Sequence, residues 1–429
     1  MKRILMIAYH FPPLAGSSGI QRTLRFVRHL PHFGWQPLVL TANARAYERT
    51  STDLLADVPA GTVVHRAFAL DTARHLALGG RYIASMARPD RWISWKIDAV
   101  RAGLRMIKTY RPDAIWSTYP IATAHLIGAE LHRRTGIPWL ADFRDPMAQE
   151  GYPADPLTWQ CFTDIEKEAV GEARFSVFTT PGAARVYRQR YPEASERIVV
   201  LENGYDEESF SMLNSDELRS EPINPGMLTL LHSGLIYPEE RDPTELMVAL
   251  RLLKESSGPA AGGLRIRFRA AGHDQLLRQL AQTHGVADCI ECCPPVAYRE
   301  ALSEMLRADG LLVMQAAGCN EQIPAKIYEY LRAQRPIIAL TDPAGDTATT
   351  LVGAGVKDIA PLDSATAIAA LLARFVDALK RCEIQLPHAE AVRRASRRER
   401  TGELVRLLDS LERARSCAEM LPSDCRRRR

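Results

Sequence analysis

Short apolar runs alternate with longer amphipathic stretches along most of this chain. Strand-type runs stand at 4–8, 37–41, 63–66, 114–117, 175–179 and 198–201, and another ends in Asp142-Phe143-Arg144-Asp145. Further runs stand at 228–232, 266–270, 310–315 and 337–340. Between them, apolar residues recur at helical spacing over 21–30, 99–110, 121–134, 163–171, 275–283, 325–333, 365–380 and 404–413. Continuous apolar strands separated by helices are the pattern of a parallel sheet covered on both faces. The pattern is interrupted once, at 211–226, where polar residues surround Pro222 and Pro225, and a linker is expected there. From 43 to 96 no clean period emerges. At 429 residues the chain is long enough for two or three domains of about 150 residues each.

The stretch 318–341, GCNEQIPAKIYEYLRAQRPIIALT, reads as loop, helix and strand. Pro324 suits a first helical turn, where its missing N–H costs nothing. Glu321 and Glu329 stand eight positions apart, the first in the loop and the second about two turns into the helix. A helix N-terminus offers free N–H groups and a positive dipole end to a phosphate, and flanking carboxylates accept hydrogen bonds from sugar hydroxyls. Lys326 lies one turn before Glu329. Earlier, the first strand leads to YHFPPLAGSSGI, in which Gly16 and Gly19 are spaced GxxG and not as the dinucleotide fingerprint GxGxxG. Ligands of open parallel sheets bind at the carboxyl ends of strands, which makes Asp142, Arg144 and Asp145 site candidates. Ser233-Gly234, Arg241 and Ala271-Gly272 occupy comparable strand-end loops in the second half.

Composition excludes little. The formal net charge is +4 and charged residues make up 25%. That excess is too small to imply a nucleic-acid surface. It is local, in RRASRRER (393–400) and the terminal RRRR, runs of a solvated type that can reach an anionic membrane surface. No uncharged apolar run approaches the length of a membrane span, and the N-terminal apolar stretch is too short for a signal peptide. A cytoplasmic protein is expected, placed peripherally on the inner face of the membrane if the tail engages it. Its eight cysteines would then stay mostly reduced. CIECC (289–293) lacks a fourth ligand at metal-site spacing.

Glu-x7-Glu ahead of "YEYLRAQRPIIA" resembles the donor-site signature of the large retaining glycosyltransferase family with the GT-B fold. The opening GSSGIQRTLRFVRHLPHFGWQPLVLT, "ADFRDP" and "VVLENGYD" resemble segments of the same family. The resemblance implies an α/β chain with two Rossmann-like domains facing a central cleft: an acceptor-binding domain over 1–210, the 211–226 linker, and a nucleotide-sugar-binding domain over 227–390. A C-terminal helix over 391–415 would cross back to the first domain, ahead of a basic tail over 416–429. It implies transfer of a sugar from a nucleoside diphosphate sugar to a sugar or lipid-linked acceptor hydroxyl, with retention, in bacterial envelope or exopolysaccharide assembly. No metal and no cofactor beyond the co-substrate would be needed. Asp142, Arg144, Asp145 and Glu321 would be catalytic. Gly16, Gly19, Gly234, Arg241, Gly272, Val296, Lys326 and Glu329 would bind the donor. Leu235 stands where relatives carry an arginine. His10 and His125 are candidates for a first-domain histidine, and His125, on an apolar helix face, reads as a core residue. Alternatives are a sugar-nucleotide epimerase on the same fold and a non-catalytic sugar- or nucleotide-binding subunit.

Overall fold

The computed structural model describes residues 1–17, 19–213, 217–218, 221–257, 263–381 and 383–419, with side chains described up to 411. The chain divides into two compact units. One comprises residues 1–202 with 397 onward, the other 203–396. The division thus falls at 202/203 and 396/397, whereas the proline-marked break expected from sequence lies at 211–226.

The first unit is built on a wholly parallel sheet of β1 (Lys2–Ile7), β2 (Trp35–Ala42), β3 (Val63–Ala67), β4 (Ala114–Thr118), β5 (Trp139–Arg144), β6 (Phe175–Phe178) and β7 (Ile198–Val200). The order is β3-β2-β1-β4-β5-β6-β7, so the winding reverses between β1 and β4. Helices Gly19–His29, Trp95–Tyr110, Thr123–Thr135, Pro156–Glu172 and Pro181–Arg190 make the crossovers. Two of them start as their sequences dictate: Asp155 and Thr180 cap the helix ahead of a first-turn proline. The aperiodic region 43–96 resolves into β3, a single turn Thr72–His75, a 3-10 turn Ala84–Ala87 and a tight reversal at Leu78–Arg81.

The last helix, Arg397–Glu419, belongs to the first unit. Leu404 and Leu408 are buried in its core, and Asp409 takes hydrogen bonds from Lys2 Nζ (2.8 Å) and Trp35 Nε1 (3.2 Å). The basic run 393–400 is largely solvated, as expected, with Arg393, Arg394 and Arg398 exposed, and it also makes ion pairs. Arg393 and Arg394 bind Glu390, and Arg400 binds Glu202 and Glu403. The terminal arginines lie outside the described residues.

The second unit repeats the design with β8 (Leu228–Ser233), β9 (Leu264–Arg269), β10 (Ile290–Cys293), β11 (Gly310–Met314), β12 (Ile337–Leu340) and β13 (Ile359–Ala360), ordered β10-β9-β8-β11-β12-β13. Alternate strand residues feed two separate cores. Leu312, Met314, Ile338 and Leu340 pack on one side; Leu311, Val313, Ile337 and Ala339 pack on the other. That is why these strands read as unbroken apolar runs. The reversal here lies between β8 and β11.

Candidate functional site

Both units carry their chemistry where the strand order reverses, at the carboxyl ends of the strands, the position in which open parallel sheets bind ligands.

In the second unit β8 ends in His232 and Ser233 and turns at Gly234, whose φ of +111° is open only to glycine at low cost. Helix Lys326–Ala333 begins beside this turn. It starts two residues later than the proline suggests, which puts Glu329 in its first turn and not two turns in. No side chain caps this start; Ile327 N and Tyr328 N instead bond the Pro324 (3.0 Å) and Ala325 (3.3 Å) carbonyls, and the helix offers the positive end of its dipole. Lys326 Nζ lies 3.3 Å from the position a Cβ on Gly234 would take, and 3.0 Å from His232 Nε2. Burial, and then the Arg241 guanidinium, pull the Lys326 amine down to about 7, against Glu329, which acts in the opposite direction. Arg241 donates to the Leu235 carbonyl (2.9 Å) and lies over the Tyr237 ring, 5.1 Å from its centroid. Its Nε is buried without a hydrogen-bond partner. Two cations, an uncapped helix start and an unsatisfied guanidinium N–H therefore converge on one glycine turn.

Around this centre the other expected residues fall in different positions. Glu329 accepts a 2.8 Å hydrogen bond from the Tyr298 hydroxyl, which ties it to the loop containing Val296. Gly272, with φ +77°, follows β9, and a Cβ there would meet Leu235 at 2.9 Å, so the loops after β8 and β9 touch. Glu321 is exposed in the loop five residues ahead of the helix.

In the first unit the structure separates the Asp-Phe-Arg-Asp group. Asp142 is fully buried and grips Arg22, itself 2% exposed, through Nε (3.0 Å) and Nη2 (2.8 Å). Thr118 donates to the same carboxylate (2.8 Å), and Arg22 also reaches the carbonyls of Leu201 and Glu202. Asp142 therefore does not stand in the site expected for it: its lone pairs are spent on an internal network that fixes the first helix against β4, β5 and the end of β7.

Arg144 does reach the strand ends. The register of β5 slips between Asp142 and Arg144, and Arg144 takes a left-handed φ of +64°. A bulge of this kind re-aims a side chain. Thr179 holds the strained residue through two hydrogen bonds to its carbonyl, from N (2.9 Å) and Oγ1 (2.8 Å). Arg144 Nη1 then faces the carbonyls of Tyr119 (3.3 Å) and Gly19 (3.5 Å). A Cβ on Gly19 would fall 2.4 Å from His10 Nδ1 and 3.0 Å from Arg144 Nη1, so this glycine is required for close approach. Gly16, with φ +78° and open space around it, is required only by its backbone. His10 is bonded to Ser17 Oγ (3.1 Å); burial and the nearby Arg144 lower its imidazole to about 4. Asp145 follows on the turn, with its side chain exposed.

His125 is the core residue its helix face implied: it is fully buried, bonded to Ser117 Oγ (2.7 Å) and packed on Phe143. His232 and Tyr298 were not singled out in the sequence. His232 sits inside an apolar strand run, and Tyr298 reaches Glu329 only through the tertiary fold.

Residues 18–204 match the glycosyl transferase 4-like domain family. No curated protein sequence matches the chain. Solved structures do share its whole architecture. Sucrose-phosphate synthase from Thermosynechococcus elongatus superposes with a TM-score of 0.60 at 13% identity, covering 96% of this chain and 100% of that one. The Anabaena protein HepE in complex with UDP-glucose gives 0.61 at 14%, with coverage of 96% and 100%. A glycosyltransferase from Rickettsia africae gives 0.63 at 12%, with coverage of 95% and 98%. The two parallel-sheet domains are those of the GT-B fold of the glycosyltransferases.

Proposed function

We propose that this protein is a glycosyltransferase that takes a sugar from a nucleoside diphosphate sugar. The observation that carries this reading is the convergence of Lys326, Arg241 and the uncapped helix start on the Gly234 turn. A diphosphate fits that arrangement, because it brings negative charge to Lys326 and Arg241 and acceptor oxygens to the partnerless Arg241 Nε. Leu235 replaces the arginine of the resembling family, and Lys326 supplies a cation from the neighbouring helix in its stead. Glu329 accepts hydrogen bonds from the ribose, with Gly272 and Val296 bordering the base. Glu321 holds hydroxyls of the donor sugar. HepE, which was solved with UDP-glucose, shares the fold and supports a donor of this class.

In the reaction the bond from the anomeric carbon to the diphosphate oxygen breaks and a bond to an acceptor oxygen forms. The acceptor proton leaves with the diphosphate. Lys326, Arg241 and the helix N-terminus stabilise the charge that develops on the leaving group, and no metal is needed for that task. The anomeric configuration is retained. In the first unit Arg144, Asp145 and His10 meet the acceptor, a sugar or lipid-linked hydroxyl of bacterial envelope or exopolysaccharide assembly, on the inner face of the membrane.

Titration calorimetry with a panel of nucleoside diphosphates and their sugars tests the reading. Micromolar binding to one base is expected, weakened by about tenfold or more, about 1.4 kcal/mol, in Glu329→Ala. Absence of binding across the panel would remove the donor site and leave a non-catalytic role.

A further inference from the structure

We propose that Arg269 is the positioning residue for base recognition: its side chain fixes the loop 294–297, against which the base lies, and so sets which nucleoside diphosphate the second unit prefers. The inference rests on the donor-site reading above.

β9 has two unlike faces. Leu264, Ile266 and Phe268 pack into one core, and Arg265, Arg267 and Arg269 alternate with them on the other side. Of the three arginines Arg269 is the buried one, 9% exposed, and all three of its guanidinium nitrogens donate. Nε and Nη2 grip the carboxylate of Glu304 (2.7 and 2.5 Å), itself 7% exposed on the helix Tyr298–Arg307. Nη1 donates to the Pro294 carbonyl (2.6 Å). Arg267 adds a second cation to Glu304 through Nη1 (2.9 Å) and turns Nε and Nη2 to Glu291 (2.8 Å each).

Stability alone does not account for this cluster, because packed apolar residues in place of a buried ion pair are often neutral or stabilising. What the pair supplies is direction. The guanidinium is a planar, fixed fork, so once Glu304 holds two of its nitrogens the third can point only one way. It points at a loop with few other ties. Pro294 and Pro295 have no N–H to donate. The N–H and carbonyl of Val296 take no hydrogen bond among the described residues. The loop is thus held at Pro294 by a side chain and offers at Val296 one donor and one acceptor, the groups that read the polar edge of a base.

The phosphate turn is held differently. Gly234 N donates to the main-chain carbonyl of Arg269 (2.8 Å), and Ile236 N to that of Ala271 (3.0 Å). Those bonds survive any change of the Arg269 side chain. One residue therefore ties the Gly234 turn by its backbone and the base loop by its guanidinium, and a substitution separates the two.

Titration calorimetry of the full chain with UDP, GDP, ADP, CDP and dTDP, and with inorganic pyrophosphate as a probe of the phosphate turn alone, tests the assignment. The unaltered chain should bind one nucleoside diphosphate at least about tenfold more tightly than the others. Arg269→Lys, which keeps the charge but not the fork, should narrow that preference by at least about fivefold, the worth of one hydrogen bond, with pyrophosphate affinity kept within about twofold. Glu304→Gln, which keeps the side-chain shape but not the charge, should narrow it in the same direction, and it decides the matter if the lysine variant does not fold. A purely structural role would lower every affinity together with the melting temperature. Such a uniform loss, an unchanged preference in a folded variant, or equal binding of all the bases by the unaltered chain would overturn the proposal and leave the donor site standing. Binding of neither pyrophosphate nor any nucleoside diphosphate by the unaltered chain would remove the donor site, and the role of Arg269 with it.

Discussion

Lys326 Nζ stands 3.0 Å from His232 Nε2, and the imidazole's other nitrogen is 3.1 Å from the Leu312 carbonyl. A carbonyl can only accept, so Nδ1 carries the proton and Nε2 offers a lone pair. The amine therefore donates to a neutral ring. Burial, and then the charges of Lys326 and Arg241, hold the histidine well below its usual range and prevent it from becoming a competing cation. The ring sets the direction of the lysine without neutralising it.

A pH dependence of donor binding follows. In the empty site the amine loses its proton near pH 7, because burial and Arg241 outweigh the attraction of Glu329. The neighbouring Tyr330 hydroxyl, raised by burial, does not titrate in this range. A bound diphosphate favours the charged amine, so binding should take up as much as one proton above pH 7. Affinity for a nucleoside diphosphate sugar, whose own charge is constant here, should fall as pH rises from about 7, by at most about tenfold per unit. Calorimetry in buffers of different ionisation enthalpy reads the proton directly. Lys326→Arg, permanently charged, should flatten the profile. Binding without proton uptake at pH 8 would show that Lys326 does not face the diphosphate.

Asp142 yields a prediction about stability. Replacing it by alanine leaves Arg22 buried with its main partner gone, a loss on the order of 3–5 kcal/mol. Denaturant titration of Asp142→Ala should show that drop, whereas Asp145→Asn, on an exposed turn, should change stability by less than about 1 kcal/mol. Equal, small effects of the two would mean that the Arg22–Asp142 pair does not hold the first helix.

This pair also marks the limit of what the sequence discloses. The central strands, such as β4, β11 and β12, were legible because they are buried on both faces, and the glycine turns because they end apolar runs. Asp142 and Arg144 lie two positions apart at one strand end, and by alternation they should face the same way. The register slip and the left-handed Arg144 send one inward and the other to the strand ends, and a bulge leaves no trace in hydrophobic pattern. His232 was hidden for a related reason, since an imidazole satisfied by a strand carbonyl sits in an apolar run like any core residue. Helix Lys326–Ala333 was found from its proline and its apolar face, but it forms only from Lys326, after Ala325, and Glu329 therefore stands in its first turn.

Gly234 offers a test within the second unit alone. Alanine there would meet both an unfavourable φ of +111° and Lys326 Nζ at 3.3 Å. Gly234→Ala should lower donor affinity by at least about tenfold, with a stability loss of about 1–3 kcal/mol from the strained backbone. If the stability loss appears and affinity is unchanged, the turn is structural and the anion site lies elsewhere.

Gly19, expected from sequence to bind the donor, offers a test within the first unit. A Cβ at this position would collide with His10 Nδ1 at 2.4 Å and press on Arg144 Nη1 at 3.0 Å, so Gly19→Ala must displace the very groups assigned to the acceptor. The backbone itself tolerates alanine, because Gly19 begins the helix Gly19–His29 without a positive φ. Donor affinity by calorimetry should therefore stay within about twofold, while the transfer rate falls by at least about tenfold, the cost of misplacing positioned groups. Transfer assays with the donor identified by calorimetry read the second quantity. A parallel fall in donor affinity would show that His10 and Arg144 contact the nucleotide sugar, and full transfer activity in the variant would remove both residues from the site.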